Sequence, residues 1–163
     1  MTDAIPQKAL SEELLPIWEE TFESHHGIFL DKGTSLLKTL DQISASEASI
    51  PVGGRCATIA AQVEHVIFYL EVLERCMGEE EVVKQDWGEI WRRVSGVTPA
   101  QWETLQVRLK TTYERLSETL RTMEDWSAED VIGDAIALVV HTAYHLGEIR
   151  QALCTVARSE QQL

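Results

Sequence analysis

The sequence predicts an all-α protein, a four-helix bundle in a single domain, and three observations carry that prediction. Apolar residues recur at alternating steps of three and four over long stretches, the period of one helix face. Helix-start signals precede two of those stretches, at Thr98 and Ser127. No stretch alternates apolar and polar residues as a half-buried strand does. At 163 residues, the chain is long enough to bury one core as a domain spanning 1–163 without disulfide staples.

Residues 1–9 read as a loose lead-in, and the pattern turns helical from Leu10. Ser11 is placed to cap this first helix, with Glu12 and Glu13 in the first turn, where the helix dipole favours acids. Leu14, Ile17, Trp18 and Phe22 make its apolar stripe. His25-His26-Gly27 and Asp31-Lys32-Gly33 interrupt the pattern before Leu36, Leu37, Leu40 and Ile43 resume it, which predicts a break between Gly27 and Gly33. Ser44 to Gly54, with Pro51 and the Gly53-Gly54 pair, reads as a linker.

A second long helix is expected from about Arg55 to Met77, ended by Gly78. Its seam is Ile59, Val63, Val66, Leu70, Leu73 and Met77. Glu79 to Gly96 is too long for a tight antiparallel turn and suits a crossover between parallel helices. Within it, Asp86 and Glu89 form a potential capping box for a short helix that Ser95-Gly96 closes. The third long helix starts at Thr98-Pro99-Ala100-Gln101 and turns Trp102, Leu105, Leu109, Leu116, Leu120 and Met123 inward. The fourth is expected from Ser127, with Asp130 at its third position, to about Arg158.

Composition narrows the partners. There are 14 basic and 27 acidic residues, a net charge of −13, and such a surface repels phosphate backbones and anionic membranes. No uncharged apolar run reaches the ~18 residues a spanning helix needs. The opening MTDAIPQKALSEEL carries acids and no apolar core, unlike a secretory signal. Cys56, Cys76 and Cys154 are odd in number and form no CxxC pair, as expected of free thiols in a reducing cytoplasm.

Chemistry concentrates in AIALVVHTAYHLGEIRQAL, residues 135–153 of the fourth helix. His141 and His145 stand four apart, so both imidazoles share one face and can chelate a single ion. Asp134 and Glu148, seven before and seven after His141, share that face. On the second helix His65 falls among Ala61, Phe68, Tyr69 and Val72 and points inward, whereas Glu64, Glu71, Glu74 and Arg75 occupy the other side. Three imidazoles plus an open position make the donor set of catalytic zinc sites, and nickel or ferrous iron accepts the same ligands. An HxxxH pair alone more often marks two imidazoles resting on a half-buried seam, and the inward His65 on a second helix brings the metal reading level with it. Glu148 has three candidate roles: fourth ligand, acceptor for an imidazole N–H, or proton acceptor in catalysis. His25 and His26 are adjacent and face different ways, which suits a solvated role. Tyr69 and Tyr144 read as core neighbours of the histidines. Thr142 follows His141, so the HExxH protease motif is absent, as are GxSxG and phosphate-loop patterns.

The chain resembles the DinB-like (YfiT-type) metalloenzyme superfamily, which includes bacillithiol and mycothiol transferases. The similarity lies in TIAAQVEHVIFYLEVL, DWGEIWRRVSGVTPAQWETL and HTAYHLGEIRQAL, and it covers most of the chain from about residue 28. It implies a four-helix bundle in down-up-up-down order. It also implies a metal triad of one histidine on the second helix and an HxxxH pair on the fourth, positions filled here by His65, His141 and His145. Many members carry Gln three residues after the last histidine, where this chain has Glu148.

Two readings follow. One is an enzyme with a single divalent ion, zinc or nickel before iron, acting on a small molecule as a thiol S-transferase or hydrolase, with Glu148 as its catalytic carboxylate. The other is a non-catalytic, metal-binding stress-response module. On the reverse face of the fourth helix, Ile136, Val139, Ala143 and Gly147 need a covering, either the first helix or a second copy in a homodimer.

Overall fold

A computed structural model of the chain describes residues 7–54, 56–78, 85–127 and 130–160. Among the described residues the regular structure is all helix, with no strand. Helix α1 spans Gln7–Phe22, α2 Leu36–Leu40, α3 Ala45–Ala48, α4 Ile59–Met77, α5 Glu89–Arg93, α6 Pro99–Thr122 and α7 Val131–Glu160. The long helices pack in pairs: α4 lies against α6 and α7, and α1 lies against the same two. No single helix among the described residues is long and apolar enough to cross a membrane.

Helix α1 begins at Gln7, three residues before the expected start, so part of the predicted lead-in is helical and the rest lies outside the described residues. Ser11 therefore sits within the helix, buried, and does not cap it. Trp18 and Phe22 are fully buried against Tyr113 of α6, and the Trp18 indole donates to Ser117 Oγ at 2.8 Å. The expected break is present. After Phe22 the chain folds around one buried carboxylate, Glu20, which accepts backbone N–H groups from His26 (2.9 Å), Ile28 (2.9 Å), Phe29 (2.8 Å) and Leu30 (2.6 Å). Burial alone would raise its pKa, but these four donors outweigh that and hold it at about 2.

The linker is more ordered than its composition suggests. Ser44 and Glu47 form a reciprocal capping box that starts α3, and Val52–Gly54 makes a 3₁₀ turn. Gly53 and Gly54 both take left-handed backbone conformations (φ 59° and 75°), which explains the glycine pair.

Helix α4 starts at Ile59 rather than Arg55, because the Thr58 hydroxyl accepts the Ala61 N–H at 3.2 Å and caps it. Arg55 lies outside the described residues. All six predicted seam residues are buried. Gly78 ends the helix with φ −84°, without the left-handed turn that glycine permits. Glu64, placed on the polar side by the sequence, is also buried; Arg108 of α6 reaches it at 3.0 Å and its neighbour Glu71 at 2.7 Å.

Residues 79–84 of the predicted crossover lie outside the described residues. The short helix α5 is present, but Asp86 does not build the expected capping box. Its carboxylate accepts the Gly88 N–H at 3.0 Å and pairs with Arg92, while the Glu89 N–H goes to the Asp86 backbone carbonyl. The helix ends at Arg93, before Ser95-Gly96.

Helix α6 starts as predicted: Thr98 Oγ1 accepts the Gln101 N–H at 3.3 Å, and Gln101 Oε1 accepts the Thr98 N–H at 2.8 Å. Trp102, Leu109, Leu116 and Leu120 are buried, whereas Met123 falls one residue past the helix. Helix α7 starts four residues later than expected. Asp130 adopts φ 67° and its carbonyl accepts the Asp134 N–H at 2.8 Å, so it precedes the first turn instead of occupying its third position. Ser127 bonds Asp125. Of the proposed back face, Val139 packs into the core, while Ile136 and Gly147 are exposed.

Candidate metal centre

Each histidine is delivered by the periodicity of its helix. His65 projects from α4 between seam residues, and His141 and His145 project from successive turns of α7, the helix packed against it. The structure brings all three together: one nitrogen from each lies within 4.8 Å of the others. Ring centroids are 5.1 Å apart for His65–His141, 4.8 Å for His65–His145 and 4.5 Å for His141–His145. His65 and His145 are buried and His141 is half-buried.

The site is walled by aromatic rings. Tyr69 stacks on His141 at 3.6 Å, and Trp91 of α5 packs on His65 at 4.5 Å. Trp87 in turn contacts Phe68 and Tyr69. Tyr69 is thus a direct wall of the site, whereas Tyr144 is exposed and meets His145 edge-on at 5.0 Å. Asp134, although on the His141 face, is not part of the trio; burial raises its pKa, with Asp130 adding to the effect. His25 is exposed, and His26 Nε2 lies 3.2 Å from Glu19, which agrees with their solvated reading.

Burial favours the neutral form of all three imidazoles. Burial pulls the His65 pKa down to about 4, aided by His145 and opposed by Glu148. Burial, His145 and His65 together pull His141 down to about 3. For His145, burial again lowers the pKa against the pull of Glu148. Neutral imidazoles are the protonation state a metal requires.

The hydrogen bonds test whether an ion fits. His65 Nδ1 and His141 Nε2 are buried with no hydrogen-bond partner among the described residues. An unsatisfied buried polar atom costs about 1–3 kcal/mol, so each of these nitrogens calls for a partner, and an ion held by the trio is a candidate for that role. His145 Nδ1 lies 2.6 Å from Gln62 Oε1 and 3.0 Å from Glu148 Oε2. A proton on Nδ1 serves those acceptors and leaves the Nε2 lone pair free. The donor set fits a divalent ion of the zinc, nickel or ferrous type.

Glu148 stands beside the trio. Its second oxygen accepts the Tyr144 hydroxyl at 2.7 Å, so a chain Tyr144–Glu148–His145 runs from the surface to the site. Sequence reasoning missed Gln62, Trp87 and Trp91. Gln62 stands three residues before His65, and that spacing alone signals a shared face.

No protein-family model, no curated protein and no solved structure matches this chain.

Proposed function

We propose that this chain is a mononuclear metalloprotein of DinB-like type, a down-up-up-down four-helix bundle in which His65, His141 and His145 hold one divalent ion. The observation that carries the reading is the convergence of three imidazoles, two of them with a buried nitrogen that has no hydrogen-bond partner among the described residues. The pairing of α4 with α6 and α7, and of α1 with the same two, supports the bundle. Zinc or nickel is the preferred ion, and iron the third candidate.

In its enzymatic form the proposal is a thiol S-transferase or a hydrolase working on a small molecule. The ion supplies Lewis acidity, which makes a thiol or a water molecule a stronger nucleophile at neutral pH. Gln62 and Glu148 hold the His145 ring and its tautomer; Tyr69 and Trp91 keep bulk water from the imidazoles. We assign Glu148 to positioning through His145, and direct proton transfer from substrate is the competing role. The test is metal analysis together with a screen for conjugation of low-molecular-weight thiols to electrophiles. Turnover that needs the ion and is lost in His141→Ala supports the enzyme.

The aromatic cover favours a second reading. Trp91 and Tyr69 lie directly on two of the three imidazoles, as in a closed site that only stores or senses an ion. A metal-loaded protein without turnover across the thiol and hydrolytic screens supports that non-catalytic module.

A further inference from the structure

A cavity of about 470 Å³ opens between α4, α5 and the first turns of α6, and the metal reading gives it no role. None of the three histidines lines it, and neither does Tyr69, Trp87 or Trp91. Its volume falls within the range of small-molecule sites, about 300–1,000 Å³. Val94, Val97 and Leu105, all half-buried, form an apolar wall, and Glu64, Arg93 and Arg108 supply the charges.

The two arginines differ. Arg108 is fully engaged: its Nε and Nη2 donate to Glu71 at 3.0 and 2.7 Å, and Nη1 donates to both oxygens of Glu64 at 3.0 and 3.2 Å. Glu64 is buried, and this fork already compensates its charge. Arg93 is not engaged in this way. It reaches Glu64 only at 3.5 Å and Glu89 only at 3.8 Å, long contacts both, and 62% of its side chain is exposed. A guanidinium whose fork stays open beside an apolar cavity suits a planar anion with two oxygens.

Charge sets the valence of that anion. Among the described lining residues two are basic and one is acidic, a local net charge of +1 in a chain of −13. A single negative charge balances this wall. The second charge of a phosphate monoester would face Glu64, and an ammonium would face two guanidiniums. Helix α6 adds to the preference, because Ala100 and Gln101 of its first turn line the cavity and bring the positive end of the helix dipole there. No aromatic ring stands among the described lining residues, so an aliphatic body fits the wall best.

We infer that this cavity is a second ligand site, one that takes a small aliphatic monocarboxylate, with its carboxylate on Arg93 and its chain along Val94, Val97 and Leu105. The site needs no ion at the trio. Glu64 leaves α4 on a different face from His65 and turns to Arg108 of α6.

Calorimetric titration of the full chain with sodium hexanoate tests this. It is run on chelator-stripped protein, because carboxylates also bind metal ions, and repeated on zinc-loaded protein. Wild type should bind hexanoate in both states. 1-Hexanol, hexylammonium and hexyl phosphate should each bind more weakly, the first two by about 10-fold or more. Arg93→Gln should weaken hexanoate by about 10-fold or more with unchanged helicity. Thr104→Phe, which adds a ring at an exposed position of the wall, should block binding with Arg93 intact. Wild type that takes up no hexanoate at millimolar concentration overturns the inference, as does equal or tighter binding of any of the three analogues. So does binding that survives either Arg93→Gln or Thr104→Phe, or that appears only with zinc and vanishes in His141→Ala.

Discussion

Gln62 Oε1 lies 2.6 Å from His145 Nδ1, and this contact between α4 and α7 fixes the tautomer of His145. An amide oxygen only accepts, so the proton must sit on Nδ1, and Nε2 keeps its lone pair. Outer partners of this kind typically change metal affinity by about 10- to 100-fold when removed. Gln62→Leu should therefore weaken binding by that factor while leaving helicity intact, as measured by competition with a chromogenic chelator. An unchanged affinity would show that Glu148 alone orients the ring.

Glu148 can be assigned by one paired measurement. As a positioning residue it should, when changed to Gln, loosen the ion about as much as Gln62→Leu does, with turnover falling in step with occupancy. If it takes a proton from substrate, Glu148→Gln should keep the ion and lose roughly 10²–10⁴-fold in rate. Tyr144→Phe, which removes only the outermost hydrogen bond, should have the smaller effect in either case.

Apolar periodicity carried the long helices, because a buried face four or more turns long leaves a repeated 3/4 spacing that nothing else produces. The histidine trio was legible for the same reason: its members sit on faces already defined by that spacing. Helix ends were harder. Ser127 and Asp130 have the composition of a start signal, but the first turn begins only after Asp130 turns left-handed, a backbone event with no periodic trace. Ser11 was misplaced because α1 continues upstream of the apolar stripe that revealed it. Glu20 left no pattern and Gln62 only its three-residue spacing from His65, since each acts on a partner set by tertiary packing or loop closure.

Glu20 gives the fold a defined acid sensitivity. Its folded pKa of about 2 lies below the ordinary 4.5, so the carboxylate stabilises the fold fully above 4.5. That contribution is lost as the pH falls from 4.5 toward 2, because the unfolded chain binds the proton more readily. Glu20→Gln should lower Tm at neutral pH and flatten its pH dependence in this window, as read by circular dichroism. A variant whose acid limb matches wild type would remove Glu20 from the account.

Thr98 and Gln101 together satisfy two orphan N–H groups at the start of α6. Thr98→Ala should cost about 1 kcal/mol, or roughly 2–4 °C in Tm for a chain of this size. Thermal unfolding of the variant checks it, and no change would mean that Pro99 and solvent hold that end unaided.

Elemental analysis of purified protein equilibrated with zinc or nickel, then dialysed at neutral pH, tests the central claim most directly. Wild type, His25→Ala and His26→Ala should each retain about one divalent ion per chain, while His141→Ala and His145→Ala should retain none. A wild type without bound ion, or a His145→Ala protein with a full complement, would contradict the three-histidine centre.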